Sequence, residues 1–208
     1  GTSFAKSLSL SLDIPLVEVN HMQAHILSVF IDDNEKKPEF PFLALTVSGG
    51  HTQLVLVKNY LEFVQIGTTL DDAAGEAFDK CGKLLGLDYP SGPKIDLLSK
   101  SGNENKFDFN KPKIDGLNFS FSGLKTSFKY FLQNKQDSFV KNNLNDLCAS
   151  LQKVIVDILI EKILNARDKT KIKNIVVCGG VSANSYLRKQ LLILENNKEI
   201  NLFIPNIN

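Results

Sequence analysis

His21 and His25 stand one helical turn apart behind Asn20, so their imidazoles share a helix face and can hold a single metal ion between them. The competing explanation is two surface histidines on one helix. The chain has only three histidines, however, and two of them fall in this pair. A zinc-protease reading needs a glutamate directly after the first histidine to act as general base, and Met22 stands there instead. A second chemical feature is Ser48-Gly49-Gly50-His51-Thr52, where paired glycines let backbone N–H groups approach an anion with no Cβ in the way. A plain glycine hairpin explains that run equally well if it stands alone. Gly179-Gly180 repeats the feature at the end of another apolar run, and two such turns facing each other would suit a nucleotide cleft between lobes. Asp72, Glu76 and Asp79 are spaced to line one helical stripe, with Asp79 able to accept hydrogen bonds from sugar hydroxyls and Asp96 a second candidate for that task. A solvated acidic face is the ordinary explanation of such a stripe. Lys125 is equally readable as a phosphate contact or as a solvated lysine at a helix start.

The elements that must position these residues follow from periodicity. Asn20 is placed to cap a helix whose apolar positions are Met22, Ile26, Val29 and Phe30. A Pro-containing link from Glu35 to Pro41 ends it, and Phe42 to Val47 reads as a buried strand. Ser48-Gly49-Gly50 turns that strand into a second, Thr52 to Val57, and a third is expected near Phe63 to Ile66. Asp71-Asp72 mark the expected start of a helix running to about Leu85 and stopped by Gly86. Tyr89-Pro90-Ser91-Gly92-Pro93 reads as a rigid turn before a helix from Lys94 to Ser99, and Gly102 to Leu117 as an irregular loop. A helix is expected from Phe119 to about Asn134. The longest is expected where Leu144, Leu147, Leu151, Val154, Ile155 and Ile158 keep a three-four spacing. Asn174 to Cys178, a glycine turn and a helix from Tyr186 form an α/β crossover unit, and Leu202 to Pro205 a short closing strand.

With 208 residues and 43% hydrophobic content, the chain can bury a core as one large domain or two unequal lobes. A net charge of +1 announces no broad nucleic-acid footprint, so any RNA contact must be local. Three scattered cysteines with no CxxC pair point to free thiols in a reducing compartment, the cytoplasm. No apolar run approaches the ~20 residues of a membrane span, and no secretory signal pattern opens the chain. Ser3 to Leu10 looks like a helix already under way and the last strand runs out at a loop, so both ends are expected to have been cut.

Taken together these segments resemble the TsaD family of bacterial tRNA N6-threonylcarbamoyladenosine synthases, formerly called O-sialoglycoprotein endopeptidases. The resemblance runs through Asn20 to His25, Val47 to Gln53, Asp71 to Lys80, Leu84 to Pro93, Phe119 to Thr126 and Gly179 to Asn184, six motifs in one order. It implies an α/β fold of the actin/Hsp70/sugar-kinase (ASKHA) type, two-lobed and here incomplete. Residues 1–40 would end the N-terminal lobe and carry the HxxxH helix, and residues 41–208 would form the C-terminal nucleotide-binding lobe. It further implies transfer of the threonylcarbamoyl group of threonylcarbamoyl-AMP to N6 of adenosine 37 in tRNAs reading codons that begin with A. By position His21 and His25 match two ligands of one divalent ion, iron or zinc. Thr46, Val47, Ser48, Gly49 and Gly50 match a loop around the substrate phosphate, Asp79, Gly92 and Asp96 match ribose and adenine contacts, and Asn184 matches the asparagine beyond the second glycine turn. The implied partners are tRNA, ATP or ADP, and TsaB-like and TsaE-like proteins, without a membrane.

Two departures stand out. No opening strand precedes Gly1, and the family's third metal ligand, an aspartate, would lie just past Asn208. The 208 residues alone are therefore expected to be inactive. An O-carbamoyltransferase would share the histidine pair and glycine loops but usually carries additional domains. A non-catalytic TsaB-like partner lacks the HxxxH pair, and an ATPase or sugar kinase has no need of it.

Overall fold

A computed structural model of the chain describes residues 1–31 and 36–205. Its centre is a five-stranded mixed sheet in the order β3-β2-β1-β4-β5. Strands β1 (Phe42–Val47) and β2 (Thr52–Asn59) form an antiparallel hairpin in the register Val47 to Thr52, and β3 (Glu62–Thr68) adds antiparallel to β2. On the other side β4 (Asn174–Cys178) pairs parallel with β1, setting Cys178 opposite Thr46, and β5 (Asn201–Phe203) pairs parallel with β4. All six residues of β1 are buried because the sheet is covered on both faces. Leu43, Leu45, Val47, Leu54, Ile175 and Val177 face the larger core, and Phe42, Ala44, Val55, Val57, Val176 and Cys178 face the smaller one.

The helices divide accordingly. Helix α1 (Thr2–Leu12) buries no residue. Helix α2 (His21–Leu27) and the 3-10 turn Ser28–Phe30 cover the smaller core with Ile26 and Val29. The larger face takes α3 (Ala74–Leu84), α4 (Ser91–Ser99), α5 (Ser122–Gln133), α6 (Asp137–Asn142), α7 (Leu144–Thr170) and α8 (Ser185–Asn196). Helix α7 spans 27 residues and buries fourteen, as the three-four spacing required. Residues 102 to 117 contain neither helix nor strand, again as expected. The expected link after Phe30 begins at Glu35, outside the described residues; its described part, 36 to 41, is irregular.

Several expectations need correcting. Helix α3 starts at Ala74, not at Asp71-Asp72: its first free N–H groups are taken by tertiary partners, the Ala74 amide by Thr52 Oγ1 at 2.9 Å and the Gly75 amide by the Ser48 carbonyl at 3.2 Å. Asp71 serves another helix. Its carboxylate accepts from the Phe121 amide at 2.8 Å, from the Ser122 amide at 3.2 Å, and from the Ser120 and Ser122 hydroxyls, capping α5 across fifty residues. Helix α5 consequently starts at Ser122, while Phe119 is extended and bridges to Thr69. Helix α4 begins three residues before Lys94 and takes Pro93 into its first turn, where no intrahelical N–H bond is lost. The expected stripe of Asp72, Glu76 and Asp79 is also broken. Lys80 Nζ binds Asp72 at 2.7 Å and Glu76 at 2.6 Å, whereas Asp79 turns to a different partner.

Cys81, Cys148 and Cys178 are free and buried. Burial pushes the Cys81 and Cys148 thiols up to about 12 and Cys178 up to about 11, the last moderated by its contact with Thr46 Oγ1 at 3.6 Å. Iodoacetamide at pH 8 is accordingly expected to label none of the three in the native protein and all three in denaturant; labelling of any one faster than global unfolding would contradict this burial. Although partial burial opposes it, hydrogen bonds from Ser120, Phe121 and Ser122 hold Asp71 below the usual carboxylate range. A folded-state value depressed in this way adds stability above the unfolded value and loses it as pH falls through the folded one. Asp71→Ala should therefore cost roughly 1 kcal/mol at pH 7, modest because the carboxylate stays in contact with water. In urea melts that difference should vanish in acid, and a difference independent of pH would refute the charged cap.

Candidate active site

Because β1 and β4 are parallel neighbours, their carboxyl ends lie side by side, and each ends in a glycine turn. The first turn is closed by Ser48 and His51: the Ser48 amide donates to the His51 carbonyl at 2.8 Å, and the His51 amide to Ser48 Oγ at 3.1 Å. The second continues as the 3-10 turn Gly180–Ala183 and leads into α8. Between them opens a cleft of about 390 Å³. Gly49 and Gly75 form one wall, Gly180, Val181, Ala183 and Asn184 another, and Phe78, Asp79, Tyr89, Pro90, Gly92, Pro93 and Asp96 come from α3, α4 and the link between them.

Three polar side chains are held in place around that cleft. Asp79 Oδ1 accepts from the Ser91 amide at 2.7 Å, which fixes α4 against α3 and leaves Oδ2 without a donor among the described residues. Asp96 Oδ1 accepts from the Ser185 amide at 3.1 Å and the Ser185 hydroxyl at 2.8 Å, tying α4 to the first turn of α8. Asn184 caps α8 by accepting from the Leu187 amide at 2.9 Å, and its Nδ2 donates to Gln152 Oε1 at 2.7 Å. The carboxylates can receive ligand hydroxyl or amine protons, the glycine turns offer backbone N–H groups, and Phe78, Tyr89, Pro90, Pro93 and Val181 supply apolar walls for a flat ring.

Of the residues expected at the site, the structure gathers Gly49, Asp79, Gly92, Asp96 and Asn184 around one cleft. Thr46 and Val47 do not line it. Both are fully buried in β1, Thr46 beside Cys178 and Val47 beneath Gly179. Ser48 shapes its turn, and Gly50 lies outside the lining. His21 and His25 lie on α2, across the sheet from α3, with ring centroids 4.5 Å apart in an edge arrangement; neither lines the cleft. Asn20 caps this helix through the Met22 and Gln23 amides at 3.0 and 3.2 Å. Among the described residues no group of three or more His, Cys, Asp or Glu side chains could hold a metal ion, and no helix is long and apolar enough to cross a membrane. Sequence reasoning missed Phe78 and Tyr89 as cleft residues. Only the proximity of Tyr89 to the Pro90-Ser91-Gly92-Pro93 turn hinted at its place.

The glycines divide into two kinds. A Cβ on Gly75 would lie 2.6 Å from the Ser48 carbonyl oxygen, and one on Gly179, whose φ is +95°, 2.4 Å from that of Val47. These two are demanded by packing. Gly49 has open space where a Cβ would stand and no positive φ, so nothing in the chain itself excludes a side chain there. A ligand passing close to the turn would.

The family model described as tRNA N6-adenosine threonylcarbamoyltransferase, TsaD, matches residues 1–208. The chain is 56% identical to the curated protein of that name from Riemerella anatipestifer, over 99% of this chain and 61% of that protein. Its identity to the protein of that name from Christiangramia forsetii is 54%, over 99% and 62%. The chain thus spans about three fifths of the length of the curated relatives it matches. Two solved structures share the fold at low identity: full-length HypF in a phosphate- and nucleotide-bound form (TM-score 0.68, 14% identity, 95% of this chain and 41% of that one) and T. kodakarensis HypF (TM-score 0.71, 15% identity, 98% and 36%). The architecture is therefore α/β of the actin/Hsp70/sugar-kinase type.

The two kinds of glycine predict opposite outcomes. Gly75→Ala should destabilise the fold by about 1–3 kcal/mol because backbone must move. Gly49→Ala should change stability by less than about 0.5 kcal/mol, read by urea melts; a loss as large as that of Gly75→Ala would show that the chain's own packing demands both glycines.

Proposed function

The chain belongs to the TsaD family of tRNA N6-adenosine threonylcarbamoyltransferases, and from that premise we propose that its cleft binds threonylcarbamoyl-AMP and serves its transfer to adenosine 37 of tRNA. The observation that carries this reading is the convergence of Gly49, Gly180, Asp79, Asp96 and Asn184, from four separate segments, on one cleft with an apolar floor. In this reading the phosphate lies against the two glycine turns, the ribose hydroxyls donate to Asp79 and Asp96, and the adenine lies along Tyr89 and Pro90. The N6 amine of the acceptor attacks the carbamoyl carbon, an N–C bond forms, the C–O bond to the phosphate breaks, and AMP leaves with the pair of electrons. The amine gives up one proton, which the leaving phosphate can accept. Backbone N–H groups of the turns offset the negative charge that builds on the phosphate as that bond breaks.

A divalent ion, iron or zinc, belongs to the same proposal. The donor set suits it: two imidazoles on adjacent turns of a capped helix, with ring centroids 4.5 Å apart and His21 open to solvent. His21 and His25 would hold it. When bound, such an ion polarises carbonyl or carboxylate oxygens. Residues 1–40 close the N-terminal lobe and 41–208 belong to the nucleotide-binding lobe. The cytoplasm is the compartment, and TsaB-like and TsaE-like proteins are partners. An O-carbamoyltransferase is not favoured, because the family model that matches residues 1–208 is that of the tRNA N6-adenosine threonylcarbamoyltransferases.

Full-length protein with threonylcarbamoyl-AMP and a tRNA transcript should produce the modified nucleoside, read by mass spectrometry of digested RNA. Asp96→Ala should lower kcat/KM by at least about tenfold; no modified nucleoside from the wild type, with its partners present, would refute the assignment. The purified wild type should carry one equivalent of transition metal that His21→Ala loses, and a wild type without metal would refute the histidine site.

A further inference from the structure

Helix α5 departs from the charge pattern of the rest of the chain. Residues 111 to 141 contain six lysines and two aspartates, a net charge of +4 in a chain of net charge +1. Two of those lysines are engaged: Lys111 pairs with Asp157 at 3.1 Å, and Lys135 stands over the Phe131 and Phe139 rings at 5.3 and 5.1 Å. Helix α5 holds Lys125 and Lys129 one turn apart and has no carboxylate in its twelve residues, unlike α3 and α7, where Lys80–Glu76 and Lys153–Asp157 pair on one helix face. Among the described residues Lys129 has no ion-pair partner.

Inward the helix spends Leu124 and Phe128, with Phe131 and Leu132 packed beside them. The opposite stripe is Ser122, Thr126, Lys129, Tyr130 and Gln133. Tyr130 is 64% exposed and contacts no other aromatic ring among the described residues, so its ring is open to solvent.

Helix α5 packs against a wall of the cleft. Helix α3 is the shared wall: its Gly75, Phe78 and Asp79 line the cleft, while Glu76 and Cys81 feel the charge of Lys125 from α5. Asp71, at the entry to α3, pins the first turn of α5 beside that wall. From this turn α5 runs outward for about 18 Å.

We propose that the outer face of α5 is a docking track for the RNA acceptor, with Lys125 and Lys129 on backbone phosphates and Tyr130 stacked on an unpaired base. The proposal rests on the reading that the acceptor is tRNA, and adds where the RNA lies. A lysine pair with no acid on its helix, one of the two without an ion-pair partner among the described residues, complements a polyanion, and an open ring on the same helix accepts a base face, which an acidic peptide lacks.

The test uses full-length protein and a tRNA transcript, with affinity measured from low to high salt. Lys125→Gln with Lys129→Gln should weaken binding about tenfold or more and lower the slope of log affinity against log salt by about 0.7 per lysine. Tyr130→Ala should weaken it about tenfold with the slope unchanged. AMP binding and the melting temperature of Lys129→Gln should match the wild type. Lys169→Gln, on the last turn of α7 at the other end of β4, should bind tRNA normally. Wild-type affinity and slope in the double variant would overturn the track alone, as would an equal loss in Lys169→Gln or competition by polyglutamate as effective as RNA. No tRNA binding by the wild type would overturn the track together with the acceptor assignment.

Discussion

The structure depends on how closely three backbones meet at the carboxyl end of β1. The Gly75 amide donates to the Ser48 carbonyl at 3.2 Å, and the ideal Cβ positions of Gly75 and Gly179 lie 2.6 and 2.4 Å from the Ser48 and Val47 carbonyl oxygens. No residue with a side chain fits at either place without moving main chain. This contact brings the amino end of α3 and the turn after β4 onto the same strand end. The floor and both walls of the cleft follow from it. Parallel pairing of β1 with β4 contributes the other half of the constraint, since only parallel neighbours end on the same side.

Around that contact, polar groups are satisfied by partners distant in sequence. Thr52 Oγ1 takes the Ala74 amide, Asp71 caps α5, Asp79 takes the Ser91 amide, and Asp96 holds the start of α8. The Asp79 and Asp96 bonds each join two elements that both border the cleft, and the other two hold α3 and α5 in place behind it, so the orphan groups of helix ends become the fasteners of the site. The arrangement also explains why the carboxylates divide as they do. Those that neutralise Lys80 or cap α5 are occupied by the fold, and Asp79 retains an oxygen for a ligand. Lys162 follows the same rule in the core, where its ammonium donates to the Ile114 and Gly116 carbonyls at 2.7 Å and steadies the irregular 102–117 segment over α7.

The sheet face opposite the cleft is covered more sparsely, by Ile26 and Val29 and a group of aromatic rings around Phe40 and Phe42. Helix α1 adds nothing to it, and Phe4, Leu10 and Val17 remain exposed. The histidine pair belongs to this thinner side, carried by a seven-residue helix held mainly by its Asn20 cap and Ile26. The two features first singled out by residue type therefore sit on different structural footings, the glycine turns on a rigid core and the histidines on a short helix.

The hairpin, β4 and α7 were legible because alternation and three-four spacing are local properties of the chain, and the two glycine turns because they directly follow such strands. The Asn20 cap and the six motifs that carry the family resemblance are local in the same sense. The true starts of α3, α4 and α5 were not legible. A helix begins where its first N–H groups find acceptors, and those of α3 and α5 lie 22 to 51 residues away, at Thr52, Ser48 and Asp71. Nor could spacing decide which of Asp72, Glu76 and Asp79 would face a ligand, because Lys80 claims the first two only once α3 is packed. The sequence by itself determined the elements and the residues capable of chemistry. Only the tertiary structure decided which of those residues meet, because a hydrogen bond selects its partner by distance in space, and no local period encodes that distance.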